Sequence, residues 1–295
     1  MPEPIRRGVI AALWTPTDAD GRLLEGELRR HLAFLRAAGV AGVLALGSTG
    51  EFVHFSEAER AGLLARIAEL AAPLPVLANV SDVSPAVAGR LARAAKSVGC
   101  VGIAVLPPWY FALNQDDQLE FFLRVAAATD LPVCLYNFPE RTGNRIAPGT
   151  IAAFADRAPL FAVKQSGGEW DYHAGLCALG RERGFAVFTG CEVRLDEALA
   201  LGCAGSISGL ANFLPEPLLR IVAAAGSVAE PMRLIQRVGA ACGMVGFPLD
   251  VAAGMRARGF ATGEFKQAVS AATQVKFDQV TAALRAQLAE AGLLG

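Results

Sequence analysis

Short apolar runs alternate with longer amphipathic segments along most of the chain, and glycine, proline, serine or aspartate residues separate the two kinds of segment. Eight of the apolar runs lack a polar face, as expected for parallel strands that are buried on both sides of a sheet. These predicted strands cover residues 9–13, 42–46, 76–79, 102–106, 133–136, 161–164, 186–189 and 205–208.

Helical periodicity follows each of the eight runs. The predicted helices cover residues 25–38, 56–71, 84–97, 115–129, 148–156, 171–183, 194–201 and 215–225. Ser56 and Glu59 form a predicted capping box, and Ser84 before Pro85 is a typical helix start. Eight successive strand–helix pairs predict an α/β fold, a (β/α)8 TIM barrel in residues 1–225 that carries the catalytic residues.

Strand patterns stop after residue 226, whereas helical periodicity continues through residues 229–244, 249–257 and 265–294. No low-complexity linker precedes these segments. We therefore expect a C-terminal helical extension, residues 226–295, that packs on the barrel.

The charge and the composition exclude several classes of partner. The 27 basic and 28 acidic residues give a net charge of −1, so neither nucleic acid nor an anionic membrane surface is an expected partner. No apolar stretch approaches the roughly 18 residues of a transmembrane helix, and the six cysteines lack CxxC spacing. These features predict a cytoplasmic protein with free thiols, and the 53% hydrophobic content predicts buried contacts between subunits of a homo-oligomer.

Lys164 has an unusual position among only four lysines, which contrast with 23 arginines (27 − 4). It ends the apolar run 161–164, whereas Lys96, Lys266 and Lys276 lie in amphipathic segments, where we expect solvated surface charges. Burial at a strand end disfavours the ammonium form, and a neutral amine can form a Schiff base with a carbonyl substrate. The alternative is a lysine whose amine reaches out to water.

The residues that follow the strands of a (β/α)8 barrel meet at one mouth. The loop 47–51 either offers backbone N–H groups to a carboxylate or forms only a tight turn. Tyr136 either transfers protons near the Lys164 amine or caps the barrel core. Arg141 either binds a carboxylate bidentately or faces solvent.

Six motifs, in this order, each end or follow a predicted strand: GSTGE, PPWY, YNFPERTG, VKQSGG, TGCE and GSISGLAN. Their combination resembles the dihydrodipicolinate synthase and N-acetylneuraminate lyase family of class I, pyruvate-handling lyases. The resemblance covers essentially the whole chain. Its most specific part is the pair of tyrosine and lysine motifs, in which Tyr136 and Lys164 are 28 residues apart (164 − 136).

The resemblance implies roles for individual residues. Lys164 matches the lysine that forms the Schiff base with pyruvate, and Tyr136 matches the phenol that transfers protons. Ser48 and Thr49 match a hydroxyl pair that holds the pyruvate carboxylate and relays protons. Tyr110 is similar to the relay tyrosine that a neighbouring subunit lends across a dimer interface.

The resemblance also implies a substrate pocket and an assembly. Gly190 and Ile207 correspond to positions that line the pyruvate pocket through their backbones. Arg141 matches the arginine that orients the carboxylate of aspartate semialdehyde. Because family members are commonly tetramers, we expect a dimer or a tetramer. We expect no metal and no cofactor.

The leading functional hypothesis is a condensation like that of 4-hydroxy-tetrahydrodipicolinate (dihydrodipicolinate) synthase, in which pyruvate joins an aldehyde such as aspartate semialdehyde. The sequence also departs from the synthase pattern, with Trp109 before Tyr110 and residues 79–82 (NVSD) in place of a Gly-Thr-Gly turn. Feedback inhibition by lysine is therefore not expected. The alternative within the class is an aldolase or dehydratase for a 2-keto-3-deoxy sugar acid or a 4-hydroxy-2-oxo acid.

Two further classes of function remain open. A metal-dependent aldolase would use His54, Glu51 or Glu57 as ligands, although the three histidines form no HxH or HxxxH motif. A catalytically silent relative would bind a sugar acid as a sensor or scaffold.

Overall fold

The computed structural model describes residues 3–223 and 226–294, and its eight strands form a closed parallel barrel in chain order. Each predicted strand is present, with its ends shifted by at most one residue, so the predicted TIM barrel is confirmed. The strands are β1 (Gly8–Ala12), β2 (Gly42–Ala45), β3 (Val76–Asn79), β4 (Gly102–Val105), β5 (Val133–Asn137), β6 (Leu160–Gln165), β7 (Ala186–Thr189) and β8 (Gly205–Ser208).

Helices surround the barrel: α1 (Glu25–Ala38), α2 (Glu57–Ala71), α3 (Pro85–Ser97), α4 (Gln115–Ala126), α5 (Pro139–Thr142), α6 (Pro148–Ala155), α7 (Trp170–Arg183), α8 (Leu195–Leu201) and α9 (Pro215–Val222). The capping box of Ser56 and Glu59 is present at the start of α2, and the Ser84 side chain caps α3. The short helix α5, which the periodicity did not predict, shapes the loop after β5.

The barrel interior is filled by apolar side chains from alternate strand positions. Ala162 belongs to this interior cluster, whereas Val163 packs in the outer cluster between strands and helices. Because successive side chains of a strand point to opposite faces, Lys164 lies on the interior face of β6. The sequence of β6 therefore places the amine in the barrel.

The remaining helices are α10 (Ala229–Cys242), α11 (Leu249–Ala257) and α12 (Ala271–Glu290). The helix predicted for residues 265–294 begins later, because the side chain of Ser270 caps α12 and the preceding segment lies against the barrel. There, the Trp14 indole N–H donates to the Thr262 carbonyl at 2.9 Å. The predicted helix end and domain boundary at residue 225 lie outside the described residues, so the division at 225/226 stays a prediction.

The prediction that Lys266 is a solvated surface charge is wrong. Its Nζ donates to Glu51 Oε2 and to the Thr15 carbonyl, both at 2.9 Å, and the Lys266 and Glu51 side chains are 7% and 3% exposed. The segment before α12 therefore contributes one half of a buried ion pair, and the loop after β2 contributes the other. Lys96, in contrast, is exposed and pairs with Asp130.

Within residues 3–223 and 226–294, every helix is too short or too polar to pass through a bilayer.

Candidate active site

Lys164 lies at the centre of the candidate site. It is 5% exposed, and in the sheet it pairs with Tyr136 of β5 on one side and Phe188 of β7 on the other. This register brings Nζ to 4.2 Å from the centroid of the Tyr136 ring. Cys134 lies two residues before Tyr136, and burial raises the pKa of its thiol to about 12, so this neighbour adds no charge near neutral pH.

The Tyr136 hydroxyl continues a polar path away from the amine. It lies 3.4 Å from Ser48 Oγ, and either hydroxyl can be the donor. The strand ends beside this path are joined by a hydrogen bond from Asn137 Nδ2 to Gln165 Oε1 at 2.7 Å. This hydrogen bond between side-chain amides joins β5 and β6 one residue after the pair formed by Tyr136 and Lys164.

A cavity of about 200 Å³ opens in front of Lys164. Five residues predicted from the sequence line it: Lys164, Tyr136, Thr49, Gly190 and Ile207. A side chain at Gly190 would place its Cβ 2.3 Å from Ser166 Oγ and 3.3 Å from Lys164 Cε. The missing side chain therefore keeps the approach to the amine open.

A second cavity of about 280 Å³ adjoins the first and shares Phe247 as a wall. Ser48 and Arg141 line this outer cavity rather than the one in front of Lys164. The Arg141 side chain is exposed, and its guanidinium lies 5.4 Å from the Phe247 ring centroid. The structure thus places Arg141 at the mouth of the barrel, in contact with a ring that also lines the Lys164 cavity.

Tyr110 does not line either cavity of its own chain. It is 88% exposed, has a left-handed backbone (φ 82°) and packs edge-on against the exposed Phe111. Its predicted role in a neighbouring subunit stays a prediction.

The interpretation of the sequence did not assign roles to three polar residues of the Lys164 cavity: Ser166, Glu192 and Asp250. Ser166 lies two residues after Lys164, so strand alternation could have identified it. Glu192 is the last residue of the TGCE motif, and its Oε1 accepts from the Gly209 N–H at 3.0 Å. Asp250 lies in the first turn of α11, and no local pattern relates that turn to the barrel mouth.

The candidate ligands of a metal-dependent aldolase are not assembled at one point. His54 and Glu51 both line the outer cavity, but Glu51 is held in an ion pair with Lys266, and Glu57 pairs with Arg90. In the described part of the chain, one group of three metal-binding side chains has its ligand atoms within 4.8 Å of one another: His173, Cys177 and Cys203. This group is buried and shares no residue with either cavity.

Comparisons with known proteins identify a family and agree with the barrel fold. A family model described as the dihydrodipicolinate synthetase family matches residues 6–287. A 4-hydroxy-tetrahydrodipicolinate synthase of Methanospirillum hungatei is 37% identical over 221 residues, which cover 74% of this chain and 76% of that protein. An uncharacterized DapA-like lyase of Halobacterium salinarum is 31% identical over 293 residues, which cover 97% of this chain and 94% of that protein. A dihydrodipicolinate synthase structure from Thermotoga maritima has a TM-score of 0.88 at 25% identity and covers 99% of this chain and 100% of that one.

Proposed function

The chain belongs to the dihydrodipicolinate synthetase family of class I Schiff-base lyases, and from that premise we propose that Lys164 captures pyruvate and joins it to an aldehyde. The reaction we propose first is the condensation of pyruvate with aspartate semialdehyde, as in 4-hydroxy-tetrahydrodipicolinate synthase. The observation that carries the proposal is the buried amine of Lys164, 4.2 Å from the Tyr136 ring in a lined cavity.

The first step is attack of the neutral Lys164 amine on C2 of pyruvate. The N–C2 bond forms, the carbonyl oxygen takes up a proton while the nitrogen loses one, and the carbinolamine then takes up a proton and loses water to give the protonated imine. Tyr136 would deliver the proton that the departing hydroxyl needs, and the Ser48 hydroxyl, 3.4 Å from the Tyr136 hydroxyl, would return a proton to Tyr136. Loss of a proton from the methyl group of the protonated imine gives a neutral enamine. The enamine forms the carbon–carbon bond with the aldehyde carbon, the aldehyde oxygen takes up a proton, and addition of water to the resulting C=N bond releases the product and restores the Lys164 amine.

The remaining cavity residues would bind the substrates. Thr49 and the backbone at Gly190 and Ile207 would hold the pyruvate carboxylate in front of the amine. Arg141 is a fixed cation at the mouth, and no carboxylate of the described residues pairs with it. It would bind the carboxylate of an aldehyde that enters through the outer cavity.

Borohydride reduction in the presence of pyruvate tests the proposal directly. It should fix a three-carbon adduct on the peptide that contains Lys164, and the exposed Lys276 should remain unmodified. Lys164→Arg should abolish both the adduct and turnover, whereas Lys276→Arg should change neither. An unmodified Lys164 under saturating pyruvate would remove the Schiff-base assignment.

A second candidate reaction is an aldolase acting on a hydroxylated substrate, such as a 2-keto-3-deoxy sugar acid. The observation that favours it is the lining of the Lys164 cavity, which contains two carboxyl groups but not Arg141. Consumption of glyceraldehyde rather than aspartate semialdehyde in the presence of pyruvate would select this reaction.

We also propose a homo-oligomer, a dimer or a tetramer, in the cytoplasm. A second copy of the chain would cover the exposed Tyr110 and Phe111. The Tyr110 hydroxyl would then relay protons in the active site of that second copy. All six cysteines are unpaired, as a reducing compartment would keep them. Sedimentation of the wild-type chain tests the assembly: a monomer with full turnover, unaffected by Tyr110→Phe, would contradict it.

A further inference from the structure

Two carboxyl groups line the cavity that contains Lys164. Glu192 reaches it from the turn after β7, and Asp250 reaches it from the first turn of α11. Only Asp250 comes from the helices that follow the barrel. The cavity is therefore completed by a side chain from outside the eight strand–helix units.

Helix capping alone does not account for Asp250. Its Oδ1 accepts from the adjacent Val251 N–H at 2.8 Å, but no donor within the described ranges reaches Oδ2. Glu192 likewise uses Oε1 for Gly209, and its Oε2 has no donor in the same part of the chain. Each carboxyl group thus keeps one oxygen that can accept a hydrogen bond from a ligand in the cavity.

The surroundings of Asp250 shift the pKa of its carboxyl group. Burial and the charge of Glu192 raise the pKa of Asp250 to about 6, and the Arg141 cation opposes this shift. Asp250 thus lies within the electrostatic reach of both Glu192 and Arg141. The first turn of α11 and the Val251 N–H favour an acid at this position, whereas burial of a second carboxyl group near Glu192 reduces folding stability.

We propose that Asp250, beside Glu192, determines specificity by accepting a hydrogen bond from an ammonium or hydroxyl group on the aldehyde that joins pyruvate. This inference rests on the proposed function and names the class of its second substrate. The aldehyde carries a hydrogen-bond donor on the carbon atoms beyond its carbonyl group. Arg141, at the mouth, takes the carboxylate where the aldehyde has one.

Four aldehydes test the inference in pairs. Aspartate semialdehyde carries an ammonium group that succinic semialdehyde lacks, and glyceraldehyde carries hydroxyl groups that propanal lacks. The measurement is kcat/KM for pyruvate-dependent consumption of each aldehyde by the full-length wild type. In at least one of the two pairs, we expect the aldehyde that carries the donor to have the higher kcat/KM.

Two variants separate the two kinds of donor. Asp250→Leu removes the acceptor, so kcat/KM for the preferred aldehyde should fall about 10- to 100-fold, because a hydrogen bond to a charged group is typically worth that much. Most of the loss should be in KM. Asp250→Asn keeps one acceptor oxygen without the charge, so it should impair use of an ammonium substrate strongly and use of a hydroxyl substrate by only a few-fold.

Controls distinguish failure of the inference from failure of the proposed function. Asp116→Asn changes an exposed acid in the first turn of α4 and should leave all four reactions unchanged. Borohydride trapping of pyruvate should remain intact in both Asp250 variants. Equal losses with all four aldehydes, no loss in either variant, or a wild type that traps pyruvate without preferring a donor-bearing aldehyde would overturn the inference. Absence of trapping in the wild type would instead overturn the proposed function.

Discussion

Replacing Lys266 by methionine removes the cation of a buried ion pair and keeps much of the side-chain length. The variant leaves Glu51 buried, at 3% side-chain exposure, without the ammonium group that lies 2.9 Å from it. Breaking a buried pair by removing one partner costs about 3 to 5 kcal/mol. The unfolding entropy is about 2.1 cal/mol/K per residue, or about 0.6 kcal/mol/K for 295 residues, so Tm should fall by about 5 to 8 °C.

The assay is thermal unfolding followed by circular dichroism, with two comparison variants. Lys276→Met removes an exposed lysine of α12 and should change Tm by about 1 °C or less. The double variant Glu51→Gln with Lys266→Met removes both charges, and it should recover at least half of the loss, because a buried pair can be replaced with little net cost.

Lys266→Met should also affect the candidate active site. Glu51 has a left-handed backbone (φ 55°), and its N–H donates to the Ser48 carbonyl at 3.1 Å. Movement of Glu51 toward water would therefore disturb the loop that carries Ser48, and KM for pyruvate should rise. If Lys266→Met lowers Tm by less than about 2 °C, or if the double variant is no more stable than Lys266→Met, then Glu51 is not held as a buried charge.

Three other substitutions give independent tests. Gly190→Ala places a Cβ 2.3 Å from Ser166 Oγ and 3.3 Å from Lys164 Cε, so the rate of pyruvate adduct formation should fall about 10- to 100-fold, and an unchanged rate would contradict the geometry of the cavity. Ser56→Ala removes a capping box and should reduce the free energy of unfolding by about 1 kcal/mol in urea titrations, more than a neutral surface substitution would. Burial lowers the pKa of His31 to about 4, so the unfolded chain binds a proton that the folded chain does not, and stability should decrease by up to about 3 kcal/mol as the pH falls from 6.5 to 4. His31→Gln should flatten this slope, whereas the exposed His54→Gln should not.

The strands and most helices could be predicted because each depends on local pattern. Strands buried on both faces are continuous apolar runs, and helices such as α2 carry their own start signal in Ser56 and Glu59. The position of Lys164 near the mouth followed from the same reasoning, since the carboxyl ends of all the strands of such a barrel meet there, and strand alternation in the structure turns its side chain to the interior. The motifs then placed Thr49, Tyr136, Gly190 and Ile207 at one cavity.

What could not be predicted depends on contacts between distant segments. Lys266 lies in a segment whose composition is that of a solvated surface, and only the fold brings it to Glu51, 215 residues away. Asp250 is similar, because a helix N-terminus with an acid is common and does not indicate which cavity it faces. The sequence indicates that Arg141 lies in the loop after β5, but its contact with Phe247, which lines both cavities, depends on the tertiary fold.

Phe247 and Asp250 form a wall that the eight repeating units do not supply. The groups that we propose to capture the keto acid lie on β5 and β6, whose register is fixed by the sheet, whereas this wall belongs to a segment outside the strands of the barrel. If the proposed function holds, we expect substitutions in the segment to change which aldehydes react without disturbing Lys164 and Tyr136. A redesign that seeks a new product should therefore begin at residues 247–251 and leave the barrel intact.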